Sequence, residues 1–409
     1  MSIESYILGL QKNPSPGKIG KIILGGLELL AGIYEKGVVK KYEKAGRNAR
    51  RMPIPVISVG NITAGGTGKT PCILKLAEML HKKGHHPAIL SRGYKSGLEK
   101  VGGVVSDGRS LRISQKLAGD EPYMMALKIP DVPVLVGRNR IISAEKAIKL
   151  GADILLLDDG FQYWDMKRDL DIVLIDCTNP FGYGYSLPRG LLREPMEALR
   201  RAHTFILTKS EQADVSMKTD IKKNLFRLAP QALILESFHS PSLLVPFNKW
   251  KKGIKEDCLS CQKGRRTFIL SGIGNPEAFK ETTLEAGLSP VGNMFFPDHH
   301  VYTSADMESA EMAAAYSGAD LITVTEKDAV KMLNLSKAED SKIPLYVLEI
   351  EMKFAENGED LLSNGGRVYM LVTTADTVKD GQNIIYSQLN KQNTEGLFYR
   401  TDIGSKAIR

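Results

Sequence analysis

The chain is 409 residues long, 43% hydrophobic and 25% charged, a balance that excludes a fibrous or wholly disordered chain and leaves length for two buried cores. Its net charge of +8 is uneven, because residues 1–52 carry ten Lys or Arg against Glu4, Glu28, Glu35 and Glu43, a local +6. The nearly neutral remainder excludes a broad nucleic-acid-binding face, and four cysteines exclude a disulfide framework and suit a reducing compartment.

The first predicted element, Ile19 to Tyr34, is apolar but interrupted by Lys21 and Glu28, too short and too charged for a membrane span. It lacks the cleavage region of a signal peptide. A helix here puts Ile19, Ile22, Ile23, Leu27, Leu30 and Tyr34 along one side, with Lys36, Lys40, Lys41, Lys44, Arg47, Arg50 and Arg51 just beyond. An apolar face with a polybasic flank suits an anionic bilayer surface, and it suits equally a helix packed on its own domain with a solvated basic end. Gly20, Gly25, Gly26 and Gly32 weaken the helix.

The stretch from Pro55 to Leu80 is the strongest local signal. A β-branched run, Val56 to Val59, enters a glycine-rich turn, and Ile73, Leu76, Ala77 and Leu80 then recur at helical spacing. Strand, phosphate loop and helix follow in order. The loop is Thr63, Ala64, Gly65, Gly66, Thr67, Gly68, Lys69 and Thr70, with Thr63 standing where the usual pattern has its first glycine. Its glycines turn backbone N–H groups inward, Lys69 adds a mobile cation, and Thr70 offers a hydroxyl to magnesium at the positive end of the helix. The pattern predicts a nucleoside triphosphate and says nothing of what receives the phosphate.

Apolar runs at Ala88–Leu90, Val132–Val136, Ile154–Leu157, Ile172–Ile175 and Phe205–Leu207 then alternate with helical stretches such as Glu121–Leu127 and Ile141–Leu150. This predicts an α/β fold with a parallel sheet, its ligands beyond the carboxyl ends of the strands. The residues there are chemically loaded: Ser91-Arg92-Gly93-Tyr94, Gly137-Arg138-Asn139-Arg140 and Asp158-Asp159-Gly160-Phe161-Gln162. Four apolar residues closed by Asp158 resemble a magnesium-organising strand, and Asp-Asp-Gly also suits a surface turn. Asp176 leads into a glycine- and proline-rich loop holding Arg189, Arg193 and Glu194. Asp120, followed by Glu121 and Pro122, reads locally as an N-cap. Thr208 to Glu211 resembles a guanine-reading element but has Glu where Asp is needed.

The pattern loosens near Ser210–Asp220, before a lone strand at Ala232–Leu235, and a domain boundary is placed there. A second βα set follows: Phe268–Leu270, a helix from Glu277 to Ala286, Met294–Phe296 into Pro297-Asp298-His299-His300, a helix opened by Thr303 or Ser304, Leu321–Val324 and Leu345–Leu348. The histidine pair reads as a polar loop or as a proton-handling group. Cys258 and Cys261 have no second pair or histidine at zinc spacing. The predicted division is a basic amphipathic segment at 1–52, a nucleotide-binding domain at 53–225, a second α/β domain at 226–362, and a tail at 363–409 with one strand, Val368–Val372, and no assigned role.

Several motifs occur in one order: SVGNITAGGTGKTP, ILSRGYK, AGDEPYMMA, LLLDDGFQ, LPRGLLREP, ILSGIGNP, FPDHH and TEKDAVK. Together they resemble the tetraacyldisaccharide 4′-kinases of Gram-negative bacteria over roughly residues 50–350. The resemblance implies a phosphate-loop domain and a second α/β domain meeting at a cleft. It implies transfer of the ATP γ-phosphate to the 4′-hydroxyl of an acylated glucosamine disaccharide 1-phosphate, giving lipid IVA at the cytoplasmic face of the inner membrane. By the matched motifs Asp120 is the catalytic carboxylate, against its local reading as a cap, and His299 its partner. Thr70, Asp158 and Glu194 fall to magnesium, and Asp159, Arg140 and Arg193 to the nucleotide. The family's Phe-Gln-His is here Phe161-Gln162-Tyr163. An acceptor that stays in the bilayer favours the membrane reading of the N-terminal segment, on an anionic surface, with no nucleic acid and no protein partner expected. The rivals are a partitioning-type membrane ATPase, which carries a lysine where this chain has Ala64, and a soluble phosphate-loop ligase, which needs neither the basic N-terminus nor a histidine loop.

Overall fold

A computed structural model describes residues 3–13, 16–298 and 300–355, of which residues 1–353 form one unit. The predicted strand at Val368–Val372 and the tail at 363–409 lie outside the described residues.

The chain opens with α1 (Ile3–Lys12) and the long α2 (Lys18–Arg47). Then come β1 (Val56–Gly60), α3 (Lys69–Lys82), β2 (Pro87–Ser91), β3 (Gly103–Asp107), α4 (Gln115–Ala118), α5 (Asp120–Lys128), β4 (Pro133–Val136), α6 (Arg140–Lys149) and β5 (Ile154–Asp158). The half ends with β6 (Leu170–Asp176), β7 (Thr204–Thr208) and α7 (Val215–Leu228). The strand β8 (Leu233–Pro246) leads into α8 (Phe247–Trp250), β9 (Arg266–Ser271), α9 (Pro276–Glu285), β10 (Ser289–Phe295), α10 (Ser304–Tyr316), β11 (Leu321–Thr325), α11 (Glu326–Lys331), α12 (Ser336–Glu339) and β12 (Leu345–Phe354).

The twelve strands among the described residues join one sheet in the order β10-β9-β11-β12-β8-β7-β6-β1-β5-β2-β4-β3. The pairings are parallel wherever their register is defined except at the edge, where β3 runs antiparallel to β4. Two strands escaped the sequence pattern: β3, whose GVVSD is too short to show a period, and the far half of β8. The polar stretch read as loosened pattern is in fact α7, where Asp214 accepts the Met217 N–H and only Ile221 and Leu225 are buried. Ile221, Leu225 and Leu228 nonetheless recur at helical spacing, a signal present in the sequence.

One face of the first half buries Val56, Leu90, Leu135, Leu155 and Leu157 against Ala144 and Ala147 of α6. The other buries Val173, Ile175, Phe205 and Leu207 against Ile221 and Leu225 of α7. A third core joins Val245, Phe268, Ile322 and Val324 to Met307 and Ala310 of α10. Each fully buried large aliphatic or aromatic side chain contributes about 1.5–3 kcal/mol. Met124 of α5 belongs to this third core although its helix comes from the first half.

The helix α2 is apolar on more than one side. Gly20, Leu24 and Ala31 are buried against the protein, and the Tyr34 hydroxyl donates to the Arg193 carbonyl. Ile19 and Ile22 of the predicted stripe, together with Leu29 and Ile33, point outward and are 64–75% exposed. Among the described residues no helix is long and apolar enough to cross a membrane.

Candidate active site

β1 ends at Gly60, just before the phosphate loop, and no side chain fits there: a Cβ on Gly60 would sit 2.6 Å from the Cβ of Phe161. Its first part is fastened down. The Ala64 N–H donates to the Leu191 carbonyl at 2.7 Å and Thr63 bridges Leu192, so these two residues anchor the loop and do not face the cleft as expected. Gly65 to Thr70 line it. Gly68, at φ +83°, caps α3 and packs so closely on His239 that an added Cβ would lie 3.2 Å from its ring. Lys69 Nζ lies 3.2 Å from Asn61 Oδ1 and 3.6 Å from Asp159 Oδ1.

Parallel register sets Asp158 beside Val59, at the mouth of the loop. Asp158 is buried and accepts from Ser91 Oγ at 2.8 Å. Burial, with the charges of Asp159 and Glu121, pushes its carboxyl up to about 6 against the hydrogen bond from Ser91 and the charge of Lys69. For Asp159 burial acts the same way, but Lys69 and Arg193 outweigh it and hold the carboxyl below its usual range. Arg193 Nη1 grips both Asp159 oxygens at 3.0 and 2.8 Å. Arg140 is buried, donates from Nη2 to the Asp158 carbonyl at 2.8 Å, and has its guanidinium 5.0 Å over the Tyr163 ring. Tyr163 is thus a stacking platform, and its hydroxyl accepts the Arg140 N–H at 2.9 Å.

Glu194, expected at magnesium, is held by protein neighbours. It is 2% exposed, takes Arg201 Nη2 on both oxygens at 3.0 and 2.7 Å and Gln162 Nε2 at 2.8 Å, and does not line the cleft. Oε1 thus accepts two hydrogen bonds and Oε2 one, all from protein neighbours. Thr70 and Asp158 suit a divalent cation: an alcohol, and a carboxylate that burial leaves short of positive charge. Among the described residues no group of three or more His, Cys, Asp or Glu could hold a metal.

Asp120 is the first residue of α5, whose N-cap is Gly119, and its side chain caps nothing. Its carboxylate accepts from Gln115 Nε2 at 2.5 Å and lines the same cleft as the phosphate loop, so the local N-cap reading is wrong. His299 lies outside the described residues. Its neighbours Asp298 and His300 line the cleft; the His300 ring stacks 4.0 Å from Phe296, with Nε2 3.1 Å from Asp306 Oδ2. Phosphate loop, Asp158, Asp159, Arg140, Arg193 and Asp120 therefore share one cleft of about 2550 Å³ with residues of the second half. Gln115, Lys327 and His239 also line it and were not singled out from sequence. Lys327 lies two residues past the end of β11, in the quoted motif TEKDAVK; His239 sits inside a strand and gives no such signal.

The family model described as "Tetraacyldisaccharide-1-P 4'-kinase" matches residues 21–365. Tetraacyldisaccharide 4'-kinase of Syntrophus aciditrophicus is 38% identical, over 86% of this chain and 95% of that protein. The same-named protein of Halothermothrix orenii is 37% identical, over 86% and 94%. Among solved structures, LpxK from Aquifex aeolicus in complex with ATP is similar, with a TM-score of 0.65 at 28% identity, covering 82% of this chain and 96% of that one. With the phosphate loop, the acidic strand end and the motif order all in place, the chain belongs to the tetraacyldisaccharide-1-phosphate 4′-kinase family.

Proposed function

We propose that this protein transfers the γ-phosphate of ATP to the 4′-hydroxyl of a tetraacyldisaccharide 1-phosphate. The observation that carries the reading is the convergence of Asp120 and the phosphate loop on one cleft. Phosphoryl transfer asks mainly for positioning and for neutralising charge. The N–H groups of Gly65 to Thr70 and the start of α3 receive the phosphates, and Lys69 leaves Asp159 for them. Arg193 then holds Asp159 in place, and Arg140, stacked on Tyr163, adds a second fixed cation. Bound through Thr70 and Asp158, magnesium supplies further neutralisation of the transferring group. Asp120 accepts the proton of the attacking sugar hydroxyl, held in place by Gln115.

The reading includes the place of work. The outward apolar face of α2, Ile19, Ile22, Leu29 and Ile33, followed by its basic end, would lie in the interface of an anionic bilayer, on the cytoplasmic face of the inner membrane where ATP is found. It also treats residues 53–225 and 226–362 as two lobes closing on both substrates, which keeps water from the γ-phosphate, with His299 brought to Asp120 by the second lobe.

ADP release from ATP, with and without detergent-dispersed tetraacyldisaccharide 1-phosphate, tests the function. Strict dependence on acceptor is the expected result; equal release without it would favour a membrane ATPase. The Asp120→Asn variant is expected to lose turnover by about a thousandfold with ATP affinity kept. Replacing Ile19, Ile22 and Leu29 by Ser is expected to cut partition onto anionic vesicles and leave activity on dispersed acceptor intact.

A further inference from the structure

The motif TEKDAVK has a place in the fold but no role in the chemistry above. Its Asp328 is fully buried: Oδ1 accepts the Gly272 N–H at 3.1 Å, and Oδ2 accepts Thr325 Oγ1 at 2.7 Å and Ser271 Oγ at 3.2 Å. Lys331 adds a hydrogen bond to the Gly272 carbonyl at 3.0 Å. The start of α11 is therefore bolted to the end of β9, and the two residues at its tip, Glu326 and Lys327, are fixed points of the second half.

Both reach α5. Lys128, the last residue of α5, places Nζ 2.7 Å from Glu326 Oε1, 3.5 Å from Glu349 Oε2 and 2.9 Å from the Ile350 carbonyl. Ile350 N–H returns to Glu326 Oε2 at 3.2 Å. At the other end of α5, Lys327 Nζ lies 2.8 Å from Glu121 Oε1. Adjacent residues of opposite charge thus hold opposite ends of one nine-residue helix, points about 10 Å apart along its axis. Slipping α5 by one residue would turn it by about 100° and break both pairs. Between them Met124, with Tyr123 and Leu127 beside it, packs into the core of the second half.

We propose that Glu326 and Lys327 form a two-point clamp that positions Asp120, the first residue of α5, against the phosphate loop, with Lys327 as the positioning residue nearest the chemistry. The proposal rests on the reading of Asp120 as proton acceptor. Lys327 also lines the cleft together with Asp120 and Asp298; burial acts to depress its pKa, and Glu121, Asp298 and Asp120 together carry it above the ordinary lysine value. At the other end the same opposition holds, burial against Glu326 and Glu349, with Lys128 kept charged.

The test uses the full-length enzyme with ATP and detergent-dispersed acceptor. Lys327→Met is expected to lower kcat by about tenfold to a hundredfold, the scale of a small misplacement of a reacting group, with the KM for ATP and the melting temperature held. Lys327→Arg should restore most of the loss. Glu121→Lys with Lys327→Glu should recover kcat relative to Lys327→Glu alone, since the swapped pair rebuilds the contact. A lowered melting temperature with unchanged kcat, or a double swap no better than the single reversal, would overturn the clamp. An Asp120→Asn arm separates the two claims. If it is inactive while Lys327→Met turns over normally, the clamp alone fails; if it turns over normally, the proton-acceptor reading fails and the clamp with it.

Discussion

Two clusters of charge lie along the same cleft and are built on opposite plans. On the floor beside the phosphate loop, Lys69 is 3.6 Å from Asp159, and Asp158 is buried beside it with a serine as its hydrogen-bond donor. Along the seam between α5 and α11, Lys128 and its two glutamates are less than a fifth exposed, and the lysine also reaches a backbone carbonyl. The floor is left partly unneutralised and can exchange protein partners for phosphate and cation. The seam is satisfied by protein alone and can hold geometry. Buried polar groups that are fully paired specify an arrangement, whereas groups left short of charge mark where a ligand belongs.

Substitutions on the two sides should therefore fail differently. The largest effect is expected on the floor: Lys69→Met should cut turnover by about a thousandfold, through lost stabilisation of the transferring phosphate, with little change in thermal stability, because Arg193 still pairs Asp159. Steady-state kinetics beside a melting curve reads both. At the seam, Lys128→Met should do the reverse, costing about 3–5 kcal/mol of stability by stranding buried carboxylates, as a denaturant titration would register. A large loss of stability in the first variant, or none in the second, would erase the distinction.

Smaller changes sharpen it. Gly68→Ala forces a side chain into a left-handed conformation and against His239, at about 1–3 kcal/mol, and should weaken ATP binding about tenfold in a direct titration. An effect of similar size concerns pH. The carboxyl of Asp158 is raised from 3.8 to about 6 in the fold. A group raised on folding contributes stability that is complete below its unfolded value and is lost as pH climbs through the folded one. Wild type should therefore lose up to about 3 kcal/mol between pH 4 and 6. Asp158→Asn should lack that loss, melting a few degrees higher than wild type at pH 8 and nearly level with it at pH 4. Equal differences at both pH values would show that Asp158 is not charge-starved.

The floor was legible in the sequence and the seam was not. Strand, glycine turn and helix from Val56 to Leu80 are contiguous, and an apolar run closed by Asp158 is a local pattern that physics reads directly. Local pattern failed where the partner is remote: Thr63 and Ala64 look like phosphate contacts until Leu191 and Leu192 are seen against them. Asp120 looks like a cap until Gly119 takes that position. Lys128 and Glu326 are 198 residues apart, and neither carries a local sign of the other. The edge strand β3 was missed because only Val105 and Ser106 of its five residues are buried, whereas α7 carries helical spacing at Ile221, Leu225 and Leu228 that was passed over.

The most direct measurement is a single-turnover reaction with γ-labelled ATP, enzyme in excess, and tetraacyldisaccharide 1-phosphate dispersed in detergent. The account predicts that the label appears on the 4′-oxygen of the disaccharide in near-stoichiometric yield, with negligible free phosphate when acceptor is omitted. Label released as inorganic phosphate at the same rate with or without acceptor would contradict it.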